Sequence, residues 1–523
     1  MLRAIRRRRV GATIVAVMVA SGAGLAAHPP AAHGASDAGN DLNGDGRSEL
    51  VIGVGGEDFL VADAGGVHVL AGTALGVRAR AGQFWHQDSP GIPGDAEASD
   101  GFGGAWAAGD FDGDGYDDLA IGAPGESIGA ANGAGHVTVL YGSPFGVYTT
   151  DASELQQNMG GLASSAEAGD GFGSELTSAD FDRDGRDDLA VGVPGEGTVG
   201  TPNAGAVQIV YGTAGGLDGS RSRLFEPADA GTNPEAGDRL GTTLATGDFN
   251  ADDHADLAIG APAEGVAGNA AAGAATVLYG STTGLVGAHA AQLHQDVTGV
   301  VGIAEPDDGF GGALAAGDFD GDGDDDLAVG ASAEDVGATN AAGVAHVFLG
   351  GPFGVIVAGN RQLYQGNAGV PGSSETLDRF GAALAAGDFD GDGTDALAIG
   401  TPGESFQGFT GAGTVMVLDG SASGLTAAGS QLWSQDSQGV LDVPEIGDGF
   451  GSAVQAGDFN GDGRHDLTVV SGEGVGAQAL AGAVHVLYGS ASGIIATGSQ
   501  QFTQDTPGVL DTAEANDLFG LPL

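Results

Sequence analysis

From about residue 36 onward the chain alternates short runs of Val, Ile, Leu and Ala with clusters of Gly, Asp, Asn and Pro, and no stretch keeps a helical period. One copy of the pattern, opening at Asp100, holds four strand signals: strand A over Gly103–Phe111, B over Asp117–Ala123, C over His136–Gly142 and D around Ala152–Gln157. The copies follow one another at steps of 68 to 70 residues, and there are seven. Four short strands per copy, repeated seven times, predict an all-β fold, a seven-bladed β-propeller of four-stranded antiparallel blades. A closed ring leaves no long edge strand exposed, whereas a linear solenoid would want atypical capping copies.

The two ends of the pattern complement each other. The first copy lacks a strand A before Asp41, and the segment Asn516–Leu523 reads as a strand A with no loop after it. The C-terminal strand is therefore expected to complete blade 1 and close the ring. On this reading residues 36–523 form a single domain: blade 1 is 41–99 plus 516–523, blade 2 is 100–169, blade 3 is 170–237, blade 4 is 238–307, blade 5 is 308–377, blade 6 is 378–447 and blade 7 is 448–515.

Residues 1–35 break the pattern. Arg3, Arg6, Arg7, Arg8 and Arg9 precede an apolar run over Val10–Ala20 and then a stretch of small residues and Pro. This predicts a signal peptide and a secreted, extracellular protein. The adjacent arginines are compatible with twin-arginine export, and cleavage is expected after Ala27 or near Gly34 or Ala35. No later run is long and apolar enough to span a membrane, so no membrane insertion is expected. Removing the leader takes away five of sixteen basic residues and makes the formal net charge of -54 more negative still. Such a charge repels nucleic acid and anionic surfaces, and divalent metal is its natural counter-ion. With no Cys the fold has no disulfides, and stability must come from core burial and bound ions.

The acids concentrate in seven loops of the form Asp-x-(Asp/Asn)-x-Asp-x-x-x-(Asp/Glu), between the strand A and strand B signals. Alternate residues of a tight turn aim oxygens at one centre, and six to eight hard oxygens suit Ca²⁺, whereas Zn²⁺ wants His or Cys. Blade 2 offers Asp110, Asp112, Asp114 and Asp118 at positions one, three, five and nine, with the Tyr116 carbonyl at seven. Blade 3 offers Asp180, Asp182, Asp184, Arg186 (carbonyl) and Asp188, and blade 5 offers Asp318, Asp320, Asp322, Asp324 (carbonyl) and Asp326. In blade 1 the set is Asp41, Asn43, Asp45 and Glu49, and in blade 7 it is Asp458, Asn460, Asp462, Arg464 (carbonyl) and Asp466. Blade 4 has Asp248, Asn250, Asp252, His254 (carbonyl) and Asp256, but Asp253 replaces the bend glycine. Blade 6 has Asp388, Asp390, Asp392 and Thr394 (carbonyl), but Ala396 at position nine and Asp395 one place early. Up to seven Ca²⁺ are expected, held weakest in blade 6 and next weakest in blade 4. Asp-rich β-turns that bind nothing are the competing reading.

Phe-Gly pairs (Phe102–Gly103, Phe172–Gly173, Phe310–Gly311, Phe380–Gly381, Phe450–Gly451, Phe519–Gly520, with Leu240–Gly241 in one copy) alternate with Gly-Ala-Pro at Gly122–Pro124 and Gly260–Pro262. The chain thereby resembles the FG-GAP repeat of integrin α-chain propellers, also present in glycosylphosphatidylinositol-specific phospholipase D and in bacterial secreted proteins. The resemblance implies a seven-bladed propeller with calcium in the loops between strands A and B.

Two rings of Glu recur besides. One follows strand B, at Glu57, Glu126, Glu196, Glu264, Glu334, Glu404 and Glu473. The other precedes the Phe-Gly pair, at Glu97, Glu167, Glu235, Glu305, Glu375, Glu445 and Glu514. Both belong on the face opposite the acidic loops, which resembles the ligand-binding side of integrin propellers. Their presence in every blade predicts acceptors of backbone N–H groups that fix loops. His68, His346 and His485, at one register of strand C, and Trp85, Trp433 and Tyr364, in strand D, read as packing positions. No nucleophile motif or phosphate loop stands out, and paired carboxylates arise by chance in so acidic a chain. A monomeric, non-catalytic binding or adhesion module with an extracellular protein or glycan ligand is the leading expectation. An extracellular hydrolase and a lectin are the alternatives.

Overall fold

The structure is a computed structural model that describes residues 39–521, apart from 59, 60, 160, 198, 199, 230, 232, 368 and 477. The predicted signal peptide lies outside the described residues. The described residues contain strands and turns only. Six sheets are four-stranded and antiparallel, each made of four consecutive strands, and the seventh, blade 1, pairs strands B (Leu50–Val54), C (Gly66–Ala71) and D (Arg78–Trp85). In blade 2 the strands run Trp106–Gly109, Asp118–Ala123, His136–Tyr141 and Tyr148–Leu155.

Strand A is shorter than the sequence pattern indicates, because its ends turn into the Phe-Gly and acidic loops. Strand D starts four residues earlier than expected. Its first half is mostly exposed, so no apolar alternation marks it, and a bulge between Val139 and Tyr141 shifts its register. Strand B is wholly buried in blades 2 to 7, strand C is buried except for a half-buried last residue in blades 1, 4, 5 and 6, and both read as runs rich in Leu, Ala, Val and Ile.

Strand A of each blade from 2 to 6 packs on strand A of the next. Each Phe-Gly pair ties two blades together. In blade 2, Phe102 N–H donates to Ala64 O of blade 1 at 3.0 Å, while Gly103 N–H donates to Gly122 O of its own strand B at 2.8 Å. The C-terminal pair repeats this across the last seam, with Phe519 N–H on Ala481 O of blade 7 and Gly520 N–H on Gly53 O of blade 1, both at 2.9 Å. Phe519 is fully buried among Leu50, Ile52, Val470 and Val484, side chains of blades 1 and 7. Further out on the same seam, Gln500 Nε2 donates to Val77 O at 2.8 Å. The ring therefore closes where the sequence places the closure, with Phe519 and Gly520 docked against strand B of blade 1, but the described residues 516–521 form turns and not the expected strand A, so blade 1 keeps three strands.

Candidate metal centre

In blades 2 to 7 the acidic loop joins strand A to strand B, and the Asp41 loop leads into strand B of blade 1 and bonds to the blade 2 loop beside it, so all seven lie on one face of the ring. The first Asp organises the turn. Asp110 Oδ1 accepts N–H bonds from Gly113 and Asp114, and Oδ2 accepts one from Gly115, all within 3.0 Å. The loop must bend through left-handed backbone at Gly113 (φ 77°) and Gly115 (φ 91°), where glycine alone carries no steric cost. Blade 4 places Ala251 (φ 54°) and Asp253 (φ 63°) at these two positions, a strained conformation for L-residues.

The ninth-position carboxylate is sunk beneath the loop. Asp118 is 1 % exposed, its Oδ2 accepts Phe111 N–H at 3.2 Å, and its Oδ1 accepts Gly142 N–H at 2.9 Å. Burial, and then the neighbouring carboxylates Asp112 and Asp110, push its pKa up to about 8. Asp188, Asp256, Asp326 and Asp466 are likewise raised to about 8, burial being the largest cause in each. A divalent cation turns that repulsion into attraction.

In blades 2, 3 and 5 the first, third and ninth carboxylates converge, with one oxygen of each within 4.8 Å of the others: Asp110, Asp112 and Asp118; Asp180, Asp182 and Asp188; Asp318, Asp320 and Asp326. These hard-oxygen sets fit Ca²⁺ and offer no soft donor. The fifth-position acids Asp114 and Asp322 stand apart from the three and accept the N–H of position seven, Tyr116 and Asp324, each at 3.1 Å. In blade 6 the converging set is Asp388, Asp390 and Asp392, with Ala396 contributing nothing. In blades 1, 4 and 7 the third-position Asn donates to the ninth-position carboxylate: Asn43 to Glu49, Asn250 to Asp256 and Asn460 to Asp466. At position seven His254, Thr394 and Arg464 each donate their backbone N–H to the fifth-position acid.

Two features escape a sequence reading. The eighth position is a latch between loops: Asp117, Asp187, Asp325 and Asp395 accept the backbone N–H of Asp41, Asp110, Asp248 and Asp318 in the preceding blade. Asp395 is thus turned toward blade 5 and does not stand in for the acid missing at Ala396. In blade 3, Arg221 of strand D reaches Asp182 Oδ2 at 2.8 Å and sets its guanidinium over the Tyr211 ring. A cation in blade 3 must compete with that arginine, which separates this loop from those of blades 2 and 5 although all three carry the same four acids. Arg221→Ala is expected to tighten Ca²⁺ binding at blade 3 several-fold, read as an added high-affinity event in a calorimetric titration.

The opposite face carries the Glu rings. The Glu after strand B accepts a side-chain amide from the preceding blade, not the backbone N–H groups expected: Gln87 donates to Glu126, Gln157 to Glu196, Gln295 to Glu334, Gln365 to Glu404, Gln435 to Glu473 and Gln504 to Glu57. Pro227 stands at the corresponding place before Glu264, so blade 4 lacks the bond. In the second ring the working group is the Asp three residues on, as where Asp100 Oδ2 takes the Glu97 N–H at 2.5 Å. The repeated Asp at Asp100, Asp170, Asp238, Asp308, Asp378, Asp448 and Asp517 is buried in every blade. Its signal is the sevenfold Asp two residues before the Phe-Gly position.

Burial, and then Asp378 and Glu375, push Glu404 up to about 7 from 4.5. Because the folded value lies above the unfolded one, its contribution to stability is complete below about pH 4.5 and is lost as pH rises through 7. Glu404→Gln is expected to raise the melting temperature by a few degrees at pH 8.5 and to leave it unchanged at pH 4, as read by calorimetry at both values.

His68 stacks on Phe84 at 4.4 Å, and His346 and His485 lie 5.2 and 5.3 Å from Phe310 and Phe450, so all three pack as expected. Trp85, Trp433 and Tyr364 lie half-buried against the blade cores.

Seven blades with an acidic loop at the same corner of each define a propeller built of repeats whose hairpins gather carboxylates. The FG-GAP repeat matches this chain at residues 34–70, 102–140, 172–210, 240–278, 310–348, 380–418 and 450–487, together more than half of it. The chain belongs to the FG-GAP repeat family. It is 35 % identical over 159 residues to phosphatidylinositol-glycan-specific phospholipase D of Bos taurus, covering 30 % of this chain and 18 % of that protein. To integrin alpha-PS2 of Drosophila melanogaster it is 32 % identical over 233 residues, covering 43 % and 15 %. The chain thus spans less than a fifth of the length of these relatives. Among solved structures, the Dos1 propeller aligns with 71 % of this chain and 66 % of its own at 13 % identity and a TM-score of 0.34. Among the described residues no helix is long and apolar enough to cross a membrane.

Proposed function

We propose that this chain is an exported, calcium-stabilised propeller that works as a non-catalytic binding module, with a protein ligand on the face opposite the acidic loops. The observation that carries the binding role is the distribution of exposed apolar side chains. Val301, Ile303, Leu377, Leu441, Val443 and Ile446 stand out from the segments between strand D and the next strand A in blades 4 to 6, with Ile303 71 % and Ile446 74 % exposed. By strand order these segments lie on the face away from the cation loops. Three consecutive blades expose apolar side chains in these segments, up to three in one segment, whereas on the acidic-loop face Leu75, Phe145 and Phe353 stand one to a blade in turns between strands C and D. Such a grouping on a strongly acidic surface suits a protein partner. The similarity to integrin α chains, the leader sequence and the converging carboxylates support export and calcium.

The test is a panel of immobilised extracellular proteins and glycans probed with the purified chain in calcium. Retention on a protein of the panel, lost in the Ile303→Asp/Ile446→Asp variant, is the expected result. Retention on glycans alone would favour a lectin, and turnover of a phosphatidylinositol-glycan or polysaccharide substrate would overturn the non-catalytic reading.

A further inference from the structure

One place on the propeller breaks the sevenfold pattern with chemistry of its own. His136 opens strand C of blade 2, where the other blades carry Gly66, Ala206, Ala274, Val344, Thr414 and Ala483. Glu154 stands on the adjacent strand D, opposite Thr138, at a position held elsewhere by Phe84, Leu224, Gln292, Gln362, Leu432 and Gln501. Both face a cavity of about 290 Å³ between blades 1 and 2, on the side away from the acidic loops, whose wall also includes Gly94, Glu126, Ser127 and Gln156.

His136 is 3 % exposed, and neither of its ring nitrogens has a hydrogen-bond partner. Gln156 Oε1, on the same wall, is also buried and unpartnered. Buried polar atoms without partners are uncommon enough to require a cause. Packing supplies that cause for His68, His346 and His485, which lie against phenylalanine rings. His136 faces a carboxylate and open space instead. Its Nε2 lies 3.7 Å from Glu154 Oε2, too far for a hydrogen bond.

We propose that this cavity holds one divalent transition-metal ion of the zinc, nickel or copper type, with His136 Nε2 and Glu154 as its protein ligands. Bonds of ~2.0–2.2 Å from one ion to a nitrogen and an oxygen set those two atoms roughly 3–4 Å apart, the spacing found here. Imidazole selects such ions over Ca²⁺, whereas the loops of the other face offer oxygen alone. Glu126, which accepts the Gln87 amide, and Gln156 Oε1 supply acceptors for water on the ion. The cavity is larger than an ion, so coordination positions stay open to water or to an oxygen or nitrogen of a bound molecule, as in an exchangeable site and not a closed structural one.

The test uses the whole exported chain in saturating Ca²⁺, which occupies the oxygen-only loops, and titrates Zn²⁺ calorimetrically and Cu²⁺ by electron paramagnetic resonance. The expected result is one site per chain, with nitrogen hyperfine coupling in the copper spectrum. His136→Ala removes that coupling and weakens binding by at least about tenfold, and Glu154→Gln weakens it similarly. Melts without added transition metal confirm that each variant folds, and Glu154→Gln, which keeps shape and bulk, guards against loss of fold in the other. Equal affinity and stoichiometry in wild type and both variants, or no site in the wild type, overturns the proposal and leaves His136 and Glu154 as neighbours with no ion between them.

Discussion

Excess chelator is expected to lower the melting temperature of the calcium-loaded protein by about 5–10 °C. A site kept at a hundred times its dissociation constant stabilises the fold by about 2.7 kcal/mol, so the blade 2 and blade 5 sites together contribute about 5 kcal/mol, and blade 3, where Arg221 competes, adds less than one further such share. Unfolding entropy near ~2.1 cal/mol/K per residue gives a chain of this size roughly 1 kcal/mol per degree. The stabilisation is local in origin: Asp118 and Asp326 are buried beside Asp112 and Asp320, and a bound cation turns the repulsion among the ionised carboxylates into attraction. Because Asp117, Asp187, Asp325 and Asp395 latch the loops of blades 2, 3, 5 and 6 to the loop before, loosening one of these loops loosens a seam between blades. Scanning calorimetry with and without chelator checks this, and protease digestion should quicken in parallel. An unchanged melt would leave the loops as ordinary Asp-rich turns.

The second large effect concerns closure. Phe519→Ala empties a fully buried site shared by blades 1 and 7, at a cost of about 3–5 kcal/mol. Its ring also meets His68 edge-on at 5.5 Å, so the loss reaches the core of blade 1. The melting temperature should fall by about 3–5 °C by the same size scaling. Phe145→Ala, at a turn where the ring is 92 % exposed, should leave it unchanged. Equal melts for the two variants would mean that the ring does not depend on its C-terminal segment.

Much of this was legible in the chain. The sevenfold spacing gave the blades, and the unmatched Phe519–Gly520 pair gave the seam, because both are features of order along the sequence. The loops were legible as far as position and residue type decide them: Asp110, Asp112 and Asp118 converge because a tight turn through Gly113 and Gly115 leaves them no other direction. What stayed hidden depends on neighbours distant in sequence. The spacing marks Asp118 as the ligand beneath its own loop, but nothing along the chain says that Asp117 faces the preceding blade. Arg221 lies 39 residues from Asp182 and meets it only across the blade. Gln365 and Glu404 likewise belong to different blades, so their bond forms only once the ring does.

The most direct measurement is a calorimetric titration of Ca²⁺ into chelator-treated protein, repeated with Asp118→Asn and Asp326→Asn. If the loops hold the ring through calcium, the wild type shows at least two tight sites, one for blade 2 and one for blade 5. Each variant then loses one site, and its melting temperature falls with it. Binding of the same number of ions by wild type and both variants, or no binding by a folded protein, would contradict it.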